Sequence, residues 1–287
     1  MDFKAFKMDG LGNDFVIIDQ RSKDLNLTKE QVIKICDRNY IGCDQLILIN
    51  KIDSNKNSLF FYNSDGGVSG ACGNGTRCVA KLLSEESKEN IINLETASGK
   101  LISKILDDNI VETNLGKATI EWEKIPLSRK VNTKNLELKI NSINNSEFTG
   151  GIAVNVGNPH VIFFVENLED YKIEKIGPEI EKNKLFPEKC NVTIANILDN
   201  KTIRVKVWER GAGLTKACGT AACATAFAGF VTGLTKNETK IKFELGDLSI
   251  KIENDHTISM CGVVSKIESI QIKLYTVSCN KLLFYKL

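Results

Sequence analysis

Two cysteines stand in matching surroundings. Ala71-Cys72-Gly73 recurs as Ala217-Cys218-Gly219, 146 residues further on. The residues that follow each cysteine suit the start of a helix. A helix N-terminus has unpaired N–H groups and the positive end of the dipole. That setting lowers a thiol's pKa and receives an anion such as a carboxylate. If two such helices face each other across a cleft, one ligand lies between two sulfurs. One sulfur, as thiolate, removes a proton from carbon. The other, as thiol, returns a proton to the opposite face. The stereocentre inverts, and the sulfurs exchange roles when the reaction reverses. This is chemistry for a racemase or epimerase. The glycines in Cys72-Gly-Asn-Gly and Cys218-Gly-Thr let the backbone come close to a carboxylate.

The same offset carries more than the cysteines. Gln45 maps onto Asn191 and Asn63 onto Glu209, both at 146. Asn13-Asp-Phe-Val-Ile-Ile resembles Asn158-Pro-His-Val-Ile-Phe at 145. An internal repeat of this kind reads as two pseudo-equivalent halves, each presenting one cysteine at a helix start.

The elements that must position these residues are mostly strands. Short β-branched and aromatic runs cover residues 15–19, 46–49, 59–62, 91–96, 101–106, 152–156, 161–165, 192–197, 202–209, 240–245 and 248–252. Turn signals such as Asp107-Asp108-Asn109 and Gly246-Asp247 separate them. Helices are fewer. Thr28-Lys-Glu-Gln31 is a capping box, and Val32, Ile35 and Cys36 follow on one helical face. A second helix is expected from 72–75 through Val79, Leu82 and Leu83. A third starts near Cys218 and runs through 221–230. It is small and apolar nearly all round, so it is expected to be buried, wrapped by sheet. Hairpins with segregated helices indicate an α+β fold. The Asn-, Lys- and Ser-rich stretch 129–147 is the expected linker. The division that follows is 1–125 with Cys72, 126–265 with Cys218, and a C-terminal strand plus tail over 266–287 that can return to the first half.

Lys and Arg total 38 against 36 Asp and Glu, a net charge of +2. That balance argues against a nucleic-acid partner, which calls for a basic excess. The apolar runs are strand-sized, well short of the roughly 20 residues that span a bilayer. No signal peptide is expected at the N-terminus. The location is expected to be cytoplasmic, and the nine cysteines are expected to be free thiols. Cys72/Cys78 and Cys218/Cys223 lack metal-ligand spacing, so no metal is expected. Cys36, Cys43, Cys78, Cys190, Cys223, Cys261 and Cys279 read as small buried hydrophobes.

GLGNDFVIID at 10–19, YNSDG at 62–66, ACGNGTRC at 71–78, GNPH at 157–160 and ERGAGLTKACGT at 209–220 closely resemble the diaminopimelate epimerase family, in order from about residue 3 to about 274. The resemblance implies a cofactor-free, pyridoxal-independent enzyme that interconverts LL- and meso-diaminopimelate, on the route to lysine and peptidoglycan. It implies two pseudo-symmetric domains, each a curled, mostly antiparallel sheet around a central helix, with the active site in the cleft between them. It assigns Cys72 and Cys218 as the acid/base pair, supported by His160 and Glu209. Substrate contacts fall on Asn13, Gln45, Asn63, Gly73, Asn74, Asn158, Asn191, Glu209, Arg210, Gly219 and Thr220. The implied partner is the small-molecule substrate diaminopimelate, and a homodimer is compatible with the resemblance. The chemistry agrees, because both ends of the substrate are zwitterionic. Arg210 can grip a carboxylate bidentately, Glu209 suits an ammonium, and asparagines offer both polarities. Ala221 and Met260-Cys261-Gly262-Val263 depart from the family's pattern.

Bland readings stand beside these. CGNG could be only a helix cap, Glu209 and Arg210 a surface ion pair, and His160 a structural hydrogen-bonder. Rival functions are a proline or hydroxyproline racemase of the same fold, a dithiol redox protein, and a non-catalytic amino-acid binder. The redox reading is weakened by the absence of C-x-x-C, and a binder would not need both thiols.

Overall fold

The structure is a computed structural model that describes residues 1–53, 56–70, 72–97 and 99–274. Cys279 and the tail beyond Leu274 lie outside the described residues.

The first half runs β1 (Asp2–Gly10), β2 (Asn13–Asp19), α1 (Lys29–Cys36), β3 (Gln45–Asp53), β4 (Lys56–Asn63), β5 (Val68–Ser69), α2 (Gly73–Ser87), β6 (Ile91–Thr96), β7 (Gly99–Asp107) and β8 (Ile110–Lys117). A two-stranded hairpin, β9 (Leu138–Asn141) and β10 (Glu147–Gly150), comes next. The second half runs β11 (Ile152–Asn155), β12 (Pro159–Phe164), α3 (Ile173–Glu181), β13 (Asn191–Asp199), β14 (Thr202–Glu209), β15 (Gly213–Thr215), α4 (Gly219–Val231), β16 (Glu238–Phe243), β17 (Gly246–Ile252) and β18 (Thr257–Val263). A final strand, β19 (Glu268–Lys273), pairs antiparallel with β1.

The two halves share one topology. In the first, α1 connects the parallel pair β2–β3 and α2 connects the parallel pair β4–β6, with antiparallel hairpins between. In the second, α3 connects the parallel pair β12–β13 and α4 the parallel pair β14–β16. Antiparallel pairing of β8 with β18 joins the halves into a 17-stranded sheet. The architecture is the α+β arrangement expected, two curled and mostly antiparallel sheets, each enclosing a helix.

Burial explains the composition of those helices. α2 lies against Phe15, Ile17, Ile47, Ile49, Leu59 and Phe61 on the inner face of its sheet. Gly75 is where it comes closest: a Cβ there would lie 2.7 Å from Ile47 Cδ1 and 3.2 Å from Phe15 and Phe61. α4 is enclosed by β11, β12, β13, β16, β17 and β18. Its residues 221–229 are all buried, and most of them are alanine, with Phe227 the one large side chain. α1 and α3 cover the outer faces, in two further apolar clusters. The expected capping box of α1 forms: Thr28 Oγ1 accepts from Gln31 N–H and Gln31 Oε1 accepts from Thr28 N–H.

Two sequence expectations fail. The stretch 129–147 is not merely a connection. It contains β9, and Leu136 and Ile140 are buried against Val161 and Phe163. Of its apolar residues Leu136 and Ile140 reach the core, while Ile143 is exposed. α3 was not expected, because Gly177-Pro178 breaks the helical pattern. The glycine is required by packing, since a Cβ on Gly177 would lie 2.3 Å from Trp208 Cγ.

A Gly75→Ala substitution weighs two effects. Alanine gains at most about 1 kcal/mol of helix propensity, while overpacking a tight core contact costs about 1–3 kcal/mol. We expect net destabilisation by denaturant titration, with loss of turnover as the N-terminus of α2 is displaced.

Candidate active site

Both cysteines occupy N-cap positions. Cys72 is the N-cap of α2, with extended backbone, and its Sγ accepts from Gly75 N–H at 3.5 Å. Cys218 is the N-cap of α4, also extended, with Sγ 3.4 Å from Thr220 Oγ1. The two helix starts meet. A Cβ on Gly73 would lie 2.6 Å from Met260 Cε, and one on Gly219 would lie 3.2 Å from the same atom and 3.4 Å from Asn74 Oδ1. One thioether of β18 therefore lies between the N-termini of α2 and α4, and a side chain on either glycine would have to shift it.

Sheet register brings the polar residues to this junction. Asn13 opens β2, Gln45 opens β3 and Asn63 closes β4. Gln45 and Asn63 are register partners, and Gln45 Nε2 donates to Asn63 Oδ1 at 2.9 Å. Asn13 Oδ1 accepts from Cys72 Sγ at 3.7 Å and from Asn74 Nδ2 at 3.5 Å. In the second half, Asn191 opens β13 and lies beside His160 of β12. Asn191 Nδ2 donates to Pro159 O at 3.0 Å, and its Oδ1 accepts from Arg210 N–H at 3.0 Å. This one side chain ties the Asn158-Pro-His160 segment to the end of β14. Arg210 itself is exposed, with Nη1 donating to Glu188 O at 2.7 Å.

His160 is fully buried, with Nε2 2.8 Å from Asn158 Oδ1. An amide oxygen only accepts, so with the amide in this orientation the ring proton sits on Nε2. Nδ1 is then a bare, buried acceptor without a partner. Burial, with Arg210 adding to it, lowers the His160 pKa to about 3, so the ring is neutral at working pH. In this tautomer His160 bonds Asn158, while Asn191 Nδ2, 3.4 Å from the same ring nitrogen, donates to Pro159 O.

The sulfurs contradict one expectation. The sequence reading has helix starts lowering both thiol pKa values. Burial instead raises Cys72 to about 11, with Glu209 adding to the rise and the Gly75 N–H only partly opposing it. Burial and Glu209 also push Cys218 well above its ordinary value. The dipole is present, but desolvation of a thiolate costs more than one helix turn returns. Glu209 responds in kind. Burial raises its carboxyl pKa, and Thr215 and Cys218 beside it pull the other way. Glu209 of the second half thus acts electrostatically on both thiols.

Sequence reasoning missed two contributors. Met260 gave no signal beyond its departure from the family's pattern. Arg38, which holds Asp14 at 2.6 and 2.8 Å and Asp44 at 2.6 Å, pins the starts of β2 and β3 next to Asn13 and Gln45. Asn13 Nδ2 donates to that same Asp44 at 2.9 Å. Among the described residues no group of three or more His, Cys, Asp or Glu could hold a metal ion.

The family description "Diaminopimelate epimerase" matches residues 5–121 and 152–267, one segment in each half. The diaminopimelate epimerase of Pelagibacter ubique is 59% identical over 274 residues, covering 96% of this chain and 100% of that protein. The one from Caulobacter vibrioides is 40% identical over 269 residues, covering 90% and 93%. Among solved structures, a hydroxyproline epimerase from Agrobacterium vitis superposes with a TM-score of 0.68 at 13% identity, covering 94% of this chain and 91% of that one. A PhzF-family phenazine biosynthesis protein from Bacillus anthracis gives 0.64 at 15%, covering 96% and 100%. At such identities these two likenesses concern the fold.

Neutral, buried His160 makes a pH prediction. Its folded pKa lies below the unfolded value of 6.5, so the unfolded chain binds the extra proton between those values. The stability from this group is complete above about pH 6.5 and is lost as pH falls toward 3. Between pH 6.5 and 5 the loss is about 1.5 kcal/mol. Denaturant midpoints at the two pH values should show that His160→Gln lacks this increment, since glutamine keeps a donor for Asn158 and does not titrate.

Proposed function

The chain belongs to the diaminopimelate epimerase family, and from that premise we propose that it inverts an α-carbon of diaminopimelate by passing protons through Cys72 and Cys218. It is an isomerase, an amino-acid epimerase acting on diaminopimelate. The observation that carries the two-cysteine reading is the meeting of two cysteine-capped helix starts across one methionine thioether.

An α-proton is acidic only when its carboxylate is shielded and the developing negative charge is received. The N–H groups of α2 and α4, at Gly73, Asn74, Gly219 and Thr220, are the donors for that carboxylate. One sulfur takes the α-proton and the other delivers its own to the opposite face. Both thiols are protonated in the free site, so ionising one requires an acceptor. Glu209, with its raised pKa, is matched to exchange a proton with Cys218. His160 is the supporting residue that the family resemblance places on the other side, held neutral by burial. Both proton carriers are side chains, and no cofactor takes part.

The asparagines and Arg210 read the rest of the substrate. Asn13, Gln45, Asn63, Asn158 and Asn191 offer acceptors to an ammonium and donors to a carboxylate, and Arg210 supplies a guanidinium for the distal carboxylate. The proposed division of the chain, 1–125 and 126–265 with the last strand returning, puts one cysteine and one polar set in each part. The eight described cysteines are all free, which suits a reducing compartment and supports a cytoplasmic location. A homodimer belongs to the same proposal.

Cys72→Ala and Cys218→Ala should each lower interconversion of LL- and meso-diaminopimelate by at least about a hundredfold, the usual worth of one acid/base group. The thermal unfolding of each variant should stay near wild type. Cys36→Ala should leave turnover close to normal. Near-normal epimerisation by either site variant would refute the two-cysteine reading.

A further inference from the structure

Cys36 and Cys43 read from the sequence as small buried hydrophobes, and both are buried. They also touch. Cys43 Sγ donates to Cys36 Sγ at 3.4 Å. Cys36 is the last residue of α1, and Cys43 lies just before β3 begins at Gln45. Their backbones are paired as well. Gly42 N–H donates to Ile35 O at 3.1 Å, and Cys43 N–H donates to Cys36 O at 3.3 Å. A disulfide bond is about 2.05 Å long, so the sulfurs have to close by only about 1.4 Å. With the backbones already side by side, side-chain rotation is the movement that closes it. The segment 37–42 between the two cysteines carries Arg38, which holds Asp14 and Asp44 at the starts of β2 and β3.

The two thiols are not equivalent. The bond from Cys43 holds the Cys36 thiol below its ordinary value, with Arg38 assisting and burial opposing. The same bond, together with burial, pushes Cys43 up. Burial raises each of the other six described cysteines. The contact therefore sets an attacking sulfur beside a resolving one.

We propose that Cys36 and Cys43 are an oxidation site, a dithiol that a peroxide converts reversibly into a disulfide tying the end of α1 to the start of β3. The Cys36 thiolate attacks one peroxide oxygen, the O–O bond breaks, and Cys36 becomes a sulfenic acid. The hydroxide that leaves takes up the proton Cys36 gave up. The Cys43 sulfur then attacks the sulfenic sulfur, the S–O bond breaks, and the oxygen departs with the Cys43 proton as water. Two thiols lose two electrons, and one hydrogen peroxide becomes two waters. Burial of both sulfurs selects an oxidant of that size. The bond fixes the loop that carries Arg38, and with it the strand starts that present Asn13 and Gln45. Neither Cys72 nor Cys218 takes part, so this site stands or falls apart from the two-cysteine reading.

The test is peptide mass spectrometry of the full chain after brief treatment with a small excess of hydrogen peroxide, with remaining thiols blocked by iodoacetamide. Trypsin cuts after Lys34, Arg38 and Lys51, so the two cysteines leave in separate peptides, 35–38 and 39–51. In a digest kept free of reductant these two should be found joined, and dithiothreitol should release them. This arm needs no variant to fold. Oxidation should also raise the thermal unfolding midpoint of the wild-type protein, because the bond closes a loop in the unfolded chain. The midpoint of Cys36→Ala should not rise. Both positions recovered as alkylated thiols, Cys36 recovered as an unjoined oxide, or either peptide joined to another cysteine would overturn the proposal. So would a joined pair with a lowered midpoint, which would mean that the native backbone does not accommodate the bond. An equal rise in Cys36→Ala would contradict it as well.

Discussion

Two helix N-termini meet at the seam between two half-molecules, and the site depends on that meeting. Each brings unpaired N–H donors and one sulfur to a place with little water. A side chain on Gly73 or Gly219 would have to displace Met260, which fills the gap between them. The repeated topology is what aims them. In both halves the helix follows a short antiparallel return, β5 or β15, and then crosses to a parallel strand. The β8–β18 pairing sets one half against the other.

Closeness has an electrostatic consequence. A thiolate in a dry site is penalised, and one turn of helix dipole does not offset that. Proton transfer from carbon nevertheless needs a strong base, and a thiol pKa raised toward that of the carbon acid narrows the gap between the two. The raised values at Cys72 and Cys218 thus fit a site that ionises only when a ligand's charge and a neighbouring acceptor are in place. Glu209 bears on both sulfurs.

Much of this was legible in the sequence because it is local. The offset of 146 found the cysteine pair and the matches of Gln45 with Asn191 and Asn63 with Glu209. The central strands are continuous apolar runs, and α4 is small on all sides, so both announce burial. What escaped depended on tertiary contacts. Gly177-Pro178 reads as a helix breaker until Trp208 is seen against the glycine. Leu136 and Ile140 look isolated until the hairpin folds them onto β12. Met260 has no motif. The thiol pKa values were misjudged because a sequence shows the dipole and hides the depth of burial.

The central claim is that two different groups, on opposite faces, carry the proton in each turnover. The most direct measurement is the early time course in D₂O from protiated LL-diaminopimelate, with substrate and product separated before mass analysis. If the abstracting and delivering sulfurs differ, the meso product carries one α-deuterium from its first appearance, while the recovered LL pool stays protiated. Deuterium entering the LL pool as fast as the product forms, or a product that retains the substrate's proton, would mean a single shared base and would contradict the account.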